Sequence, residues 1–249
     1  MVKELIKIDR LSKVFTDSSG RETRVINEIT FNINEGDFIT IFGPNGSGKT
    51  TLLNIIAKLE TFTGGDMVYS KSNFKIGYVF QNYDESLLPW RTVEENIKLP
   101  LEKGLYSEQE ITEQVNRVIN LLNLEKYRQK YPYMLSGGKK QLTALARTLV
   151  IEPDLLLMDE PFSSLDFDTT VEMEQLLLDI WAKLNMTILF VSHNIDEAIL
   201  LADRVLILSH KSSIENVEVK LDRPRNHDML VSQNFVDIKK EVIVKYGRR

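Results

Sequence analysis

The sequence predicts an α/β fold: a mostly parallel, doubly wound sheet with antiparallel strands at the N-terminus and a helical lobe inserted at about 90–150. Three observations lead there. Short apolar runs at 37–42, 154–159, 187–192 and 204–209 have the length and composition of buried strands. Helix-like segments alternate with them, the order expected of a parallel sheet with crossover helices. Between Thr92 and Val150 the pattern turns mostly helical, as an insertion into an α/β core would.

In chain order, Leu5 to Phe15 and Arg24 to Ile33 alternate and are rich in β-branched residues, so they read as strands joined by the turn "TDSSG". "DFITIF" is a buried strand, and Lys49 to Leu59 a helix. "MVYS" and "KIGYVF" are further strands. In the lobe, Ser107 and Glu110 form a capping box ahead of an amphipathic run. Ile111, Val115, Val118, Ile119 and Leu122 share one face of that helix. "DLLLMD" is a strand, Thr169 to Leu184 a helix, "TILFVS" a strand, Ile195 to Ala202 a short helix and "RVLILS" a strand. Asn226 to Tyr246 is expected to be helical and to cover the core. The 249 residues suit one domain spanning 1–249 that carries the lobe.

Composition narrows the class. Hydrophobic residues make up 43% of the chain, enough for a sizeable core, and the net charge of −5 disfavours broad affinity for nucleic acid or anionic membrane. With no cysteine, disulfides and thiolate metal sites are excluded. The N-terminal stretch lacks an unbroken apolar run of the secretory kind. No segment reaches the roughly 18–20 apolar residues needed to span a bilayer. The expectation is a cytoplasmic protein whose partner supplies any membrane-spanning helices.

The chemistry is concentrated in "GPNGSGKT", Gly43 to Thr50, which fits G-x-x-x-x-G-K-[ST] between a predicted strand and a predicted helix. Glycines let backbone N–H groups curl around a phosphate, and the helix N-terminus adds unpaired donors. Lys49 would reach the β- and γ-phosphates, and the Thr50 hydroxyl would bind Mg²⁺. A glycine-rich turn with a chance match is the bland alternative, and the flanking elements argue against it. The core is thus a P-loop NTPase core. "LLLMDEP" ends a buried strand in Asp159, which would face Mg²⁺, and Glu160, which would orient or deprotonate an attacking water. Away from a P-loop the two would be a solvated acidic pair at a strand end. "LSGGKKQ" places Ser136 as an N-cap, with Gly137 and Gly138 exposing backbone N–H groups, a second anion site.

With these residues assembled, the chain resembles the nucleotide-binding subunit of ABC transporters. The resemblance covers nearly the whole chain and rests on "GPNGSGKTT", the glutamine of "VFQ", "LSGGKKQ", "LLLMDEP", "SSLD" and "FVSHNIDEA", in that order. It implies ATP and Mg²⁺ as cofactors and a head-to-tail homodimer, each ATP lying between one P-loop and the opposite serine–glycine motif. Gly43, Pro44, Asn45, Gly46, Ser47, Gly48, Lys49, Thr50 and Thr51 would bind nucleotide in one subunit, and Ser136, Gly137 and Gly138 in the other. Phe15 resembles the aromatic that stacks on adenine; an ordinary core residue is the alternative. Gln81 resembles the glutamine that contacts Mg²⁺ and senses the transport partner. Asp166 resembles the aspartate linking the two sites, and also reads as a helix cap. His193 resembles the switch histidine at the γ-phosphate, although a histidine after an apolar strand is more often buried and satisfied. His210 and His227 match no motif. Two departures stand out. Lys139 replaces the glutamine or methionine often found there, and with Lys140 it puts cations at a helix N-terminus, sensible beside a phosphate or simply solvated. Leu142 stands where arginine is common.

"LLPW-TVEEN", Leu87 to Asn96, resembles importers of the nitrate, sulfonate and taurine class, at the place where such subunits dock a membrane subunit. Leu87, Leu88, Pro89 and Trp90 form an apolar cluster in a loop-like segment, either a docking surface or part of the lobe's packing. The resemblance implies an ATP-hydrolysing importer subunit at the cytoplasmic face of the membrane. Its partners would be integral permease subunits and, indirectly, an extracytoplasmic solute-binding protein, with no nucleic acid. A soluble ABC ATPase of iron–sulfur cluster assembly and the motor of an exporter or lipoprotein-release system are the rivals, both disfavoured by this stretch. An ATPase of DNA repair or chromosomes would need long coiled coils that the chain cannot hold.

Overall fold

A computed structural model of the chain describes residues 3–82, 86–102, 106–209 and 214–247. In chain order the elements are β1 (Glu4–Thr16), β2 (Glu22–Asn34), β3 (Phe38–Phe42), α1 (Lys49–Ile56), β4 (Gly64–Tyr69), β5 (Ile76–Val79), α2 (Val93–Lys98), α3 (Glu108–Leu121), α4 (Gly137–Leu149), β6 (Leu155–Asp159), α5 (Phe167–Leu184), β7 (Ile188–Ser192), α6 (Ile195–Leu201), β8 (Arg204–Leu208), β9 (Ile214–Glu218) and α7 (Gln233–Gly247). They fall into two units, Met1–Phe74 with Leu177–Arg249, and Lys75–Leu176.

In the first unit β1 pairs antiparallel with β2 on one side and β4 on the other. The turn between β1 and β2 is organised by Asp17, whose carboxylate accepts bonds from the Ser19 and Arg21 amides at 2.8 and 3.0 Å. The other sheet segment of this unit runs β7-β3-β8-β9. β3 is parallel to both its neighbours and buried along its whole length, while β9 is antiparallel to β8. The apolar runs therefore became strands because both faces of each are covered. β9 escaped sequence reading: Glu215, Asn216 and Glu218 hide its alternation, and only Val217 is buried.

The expected C-terminal helix is interrupted. His227–Val231 forms a 3-10 turn, and α7 starts only at Gln233. Ser232 makes the break: its hydroxyl bonds back to the Met229 carbonyl and accepts from the Phe235 amide, capping α7 locally. α1 likewise stops at Ile56, short of the expected Leu59, where Lys58 takes a left-handed φ of 61°.

In the second unit β5 and β6 pair in parallel, and the stretch expected to be helical holds α2, α3 and α4 with short 3-10 turns. The Ser107–Glu110 capping box forms as expected, and a second one, Thr92–Glu95, opens α2. Ile111, Val115, Val118, Ile119 and Leu122 are all buried. Arg128 grips Glu94 through Nε at 2.8 Å and Asn116 through Nη1 at 2.7 Å, tying α2 to α3.

A buried arginine closes the first unit. Arg225 donates through Nη1 to the carbonyls of Leu200 and Ala202, at 3.2 and 2.7 Å, and through Nη2 to Leu221 at 3.2 Å. It thereby satisfies the C-terminal carbonyls of α6. Burial, and then the neighbouring Arg223 charge, pull its pKa down to about 10. Arg223 stacks over Trp181 at 3.9 Å and bonds to Asp203 at 2.7 Å. Replacing Arg225 by methionine keeps the bulk but strands these carbonyls, so stability should fall by about 3 kcal/mol. Urea unfolding measures it; a loss below about 1 kcal/mol would mean the carbonyls find water instead.

Candidate functional site

The glycine loop leaves the end of β3 and enters α1 at Lys49. Phe42 is the register partner of Ser192, so Gly43 and His193 leave adjacent parallel strand ends. Ligands of open α/β sheets bind at such carboxyl ends. A Cβ on Gly43 would lie 2.3 Å from the Leu208 carbonyl oxygen, so only glycine fits. Gly48 caps α1 at φ 96°, a left-handed conformation natural to glycine. The first turn of α1 carries no acidic residue, so its N–H donors remain available to an anion.

The Lys49 side chain folds into the loop. It is only 6% exposed, and its ammonium donates to the carbonyls of Gly43 at 2.9 Å and Pro44 at 3.0 Å. Ser47 is buried with a hydroxyl that has no partner among the described residues. A buried cation together with an orphaned hydroxyl is the chemistry of a phosphate cradle. Pro44 and Thr51 are half-buried, while Asn45, Gly46 and Thr50 are exposed. Phe15 is 40% exposed, with the Lys13 ammonium 4.5 Å from its ring centroid, so the core alternative for it fails.

His193 is exposed, not a buried core residue. Its turn is fixed on both flanks. Asn194 caps α6 by accepting from the Asp196 and Glu197 amides, and Ser192 Oγ accepts from the Asn194 amide at 2.9 Å and bonds to Glu197.

In the second unit, Val79 pairs with Met158, so Phe80 and Asp159 leave adjacent strand ends and Gln81, which is exposed, follows at once. Asp159 is 5% exposed and hydrogen-bonded to the Tyr78 hydroxyl. Glu160 holds a left-handed φ of 43°, unusual for a non-glycine residue and concentrated at functional sites. Its carbonyl accepts from the Ser163 amide at 3.2 Å and hydroxyl at 2.9 Å. Asp166 caps α5 through Thr169 N at 3.0 Å, and these bonds hold its carboxyl below the usual range.

Ser136 stands at the N-cap of α4, but its hydroxyl caps nothing. The hydroxyl is exposed, and the two glycines after it are half-buried. Lys139 lies 5.4 Å from the Tyr127 ring centroid, a cation–π contact rather than plain solvation. Leu142, at the usual arginine position, is buried in the helix core.

Trp90 is 71% exposed, so the lobe-packing alternative fails for it. Leu87 instead turns inward against Ala144 and Leu165. The turn between them is held by Asn96, which sequence reasoning passed over. Its buried amide accepts from the Leu88 N–H at 2.9 Å and donates to the carbonyls of Leu88 and Arg91 at 3.1 and 3.0 Å. Its place on one helix face with the buried Val93 and Ile97 was the signal for it. Residues 83–85, just before this stretch, and His210 lie outside the described residues.

A family model described as ABC transporter matches residues 26–163. The chain belongs to the ABC transporter family. The cassette is an ATPase of that family. It is 38% identical over 249 residues to the aliphatic sulfonates import ATP-binding protein SsuB of Bacillus cereus, covering 97% of this chain and 95% of the relative. It is 35% identical over 247 residues to the nitrate import ATP-binding protein NrtD of Synechocystis sp., covering 97% and 92%. A dimeric structure of a post-hydrolysis state of an ATP-binding cassette bound to ADP and Pi superimposes with a TM-score of 0.74 at 29% identity, covering 88% of this chain and all of the other. Gly43→Ala in this cassette should cost about 1–3 kcal/mol by overpacking against Leu208. Thermal melts and titration with a fluorescent ATP analogue should both register the change; wild-type values in both would refute the tight approach of loop and strand.

Proposed function

We propose that the chain is the ATP-hydrolysing subunit that powers import of a small solute, nitrate-, sulfonate- or taurine-like or a related precursor, through partner membrane subunits. The observation that carries the importer reading is Trp90, an exposed aromatic beside an inward-facing Leu87 in a turn pinned by Asn96. An exposed aromatic on a hydrogen-bonded turn is the kind of anchor that a partner can bury. The printed import functions of the sulfonate and nitrate relatives support the solute class and weigh against the iron–sulfur and exporter readings. Among the described residues no helix is long and apolar enough to cross a membrane, which is compatible with a peripheral subunit at the cytoplasmic face held by integral permeases. A solute-binding protein would act on those permeases and only indirectly on this chain.

In this reading ATP is the substrate. The loop Gly43–Thr51 wraps its phosphates, and the Lys49 ammonium exchanges the Gly43 and Pro44 carbonyls for phosphate oxygens. Phe15 offers its open ring to adenine. The donor set suits Mg²⁺: it is oxygen only, the Thr50 hydroxyl, the Asp159 carboxylate and the Gln81 amide. Mg²⁺ keeps several waters and takes phosphate oxygens, so a few protein oxygens suffice to hold it. When bound, Mg²⁺ would neutralise charge developing on the β- and γ-phosphate oxygens. Glu160 orients or deprotonates the attacking water, and His193 contacts the γ-phosphate from the neighbouring strand end. Ser136, Gly137 and Gly138 of a second copy complete each site, with Asp166 relating the two. The dimeric state of the related cassette supports that pairing.

Glu160→Gln removes the base and keeps the shape. Hydrolysis should slow by about a hundredfold or more while ATP still binds, and the protein should accumulate as an ATP-held dimer on size exclusion. A strictly monomeric variant at saturating ATP would count against the shared site. Trp90→Ala should leave the melting temperature and ATP affinity of the isolated subunit unchanged and weaken assembly with the membrane subunits by ~2 kcal/mol. Normal recovery of the permeases on this variant would remove Trp90 from the docking surface. A multi-span membrane protein co-purifying with the wild type would in turn exclude the iron–sulfur reading.

A further inference from the structure

One half-buried polar side chain beside the carboxylates has no part in the chemistry above. Tyr78 lies in β5, opposite Leu157 of β6. Side chains of register partners in a parallel pair face the same way, and so do residues two apart along a strand. Tyr78 and Phe80 on β5 therefore share a face with Leu157 and Asp159 on β6. The contacts agree: the Tyr78 hydroxyl hydrogen-bonds to Asp159, and its ring stacks on Phe80 at 4.2 Å between centroids, 22° from parallel. Phe80 is 46% exposed and immediately precedes Gln81. The Tyr78 carbonyl faces the Thr148 hydroxyl of α4 at 3.5 Å.

A phenol carries its proton at neutral pH, so the hydroxyl is the donor and the carboxylate the acceptor. One ring thus touches both the carboxylate at the end of β6 and the residue that launches Gln81 from the end of β5.

We propose that Tyr78 is a positioning residue for metal binding: its hydroxyl holds the Asp159 carboxylate in a single orientation toward Mg²⁺. The proposal rests on Asp159 being a Mg²⁺ ligand. It assigns to a residue outside the recognisable motifs the part that an outer hydrogen-bond partner plays in ordering a metal ligand.

Tyr78→Phe tests it, because ring, stack and burial stay and only the hydroxyl goes. The full chain is titrated with Mg²⁺ at fixed fluorescent ATP analogue, and separately with the analogue in EDTA, alongside a thermal melt. The apparent Mg²⁺ affinity should fall about tenfold. Nucleotide affinity in EDTA and the melting temperature should not move. Asp159→Asn serves as the reference: it should weaken Mg²⁺ binding by itself, and adding Tyr78→Phe to it should change nothing more, because the two act as one unit. If Asp159→Asn weakens Mg²⁺ binding and Tyr78→Phe does not, the positioning role is overturned and the Asp159 assignment survives. If Asp159→Asn leaves Mg²⁺ binding untouched, both fall. A lower melting temperature with unaltered Mg²⁺ dependence would reduce Tyr78 to a packing residue and also overturn the inference.

Discussion

The placement of the phosphate loop depends on β3 being enclosed. Its five residues are buried and paired in parallel on both edges, so its peptide groups are satisfied by β7 and β8 and its side chains by the layers above and below. A strand held this way has no freedom to slip, because a one-residue shift would send every side chain to the opposite face. The register then fixes what leaves its end. Gly43 emerges level with His193, and the Leu208 carbonyl on the other side comes so near that a side chain has no room. The flexible loop is thus set on a rigid support, the arrangement in which glycine's conformational freedom serves binding instead of disorder.

Inside that loop the charge problem is already solved. A buried ammonium without partners would be costly, and Lys49 avoids this by donating to two carbonyls of its own loop. An incoming phosphate therefore replaces partners rather than rescuing an unpaired charge. The Ser47 hydroxyl is the opposite case, a buried group with no partner among the described residues. The loop combines a satisfied cation with an unsatisfied hydroxyl, and both are answered by an anion rich in acceptor oxygens.

The second unit relies on local hydrogen bonding more than on an enclosed strand. Two capping boxes start α2 and α3, Arg128 joins them, and the buried Asn96 amide holds the turn that turns Leu87 inward while Trp90 stays exposed. A fully engaged amide of this kind defines one conformation for the turn. At the end of β6, the left-handed backbone of Glu160 and the tyrosine bond to Asp159 show the same principle on a smaller scale: neighbours hold reactive groups in conformations they would not adopt alone.

Much of this was legible in the residues themselves. Buried strands announce themselves by uninterrupted apolar runs, the Ser107 box by two residues three apart, and the phosphate loop by its glycines and Lys49, because each is a local rule read within a few positions. The break at Ser232 was not, since a single serine competing for backbone bonds leaves no mark on helical periodicity. β9 was hidden because an edge strand buries one side only and can carry charges on the other. The idle Ser136 hydroxyl, the exposure of Phe15, His193 and Trp90, and the cation–π seat of Lys139 needed neighbours far away in the chain. So did the tyrosine on Asp159, which exists only because the register of β5 against β6 puts positions 78 and 159 on one face. Sequence alone determined which groups can do the chemistry, because side-chain type and short spacing suffice for that. The tertiary structure decided which of them are enclosed, which are open and which are held by another residue, because burial and strand register come from long-range pairing.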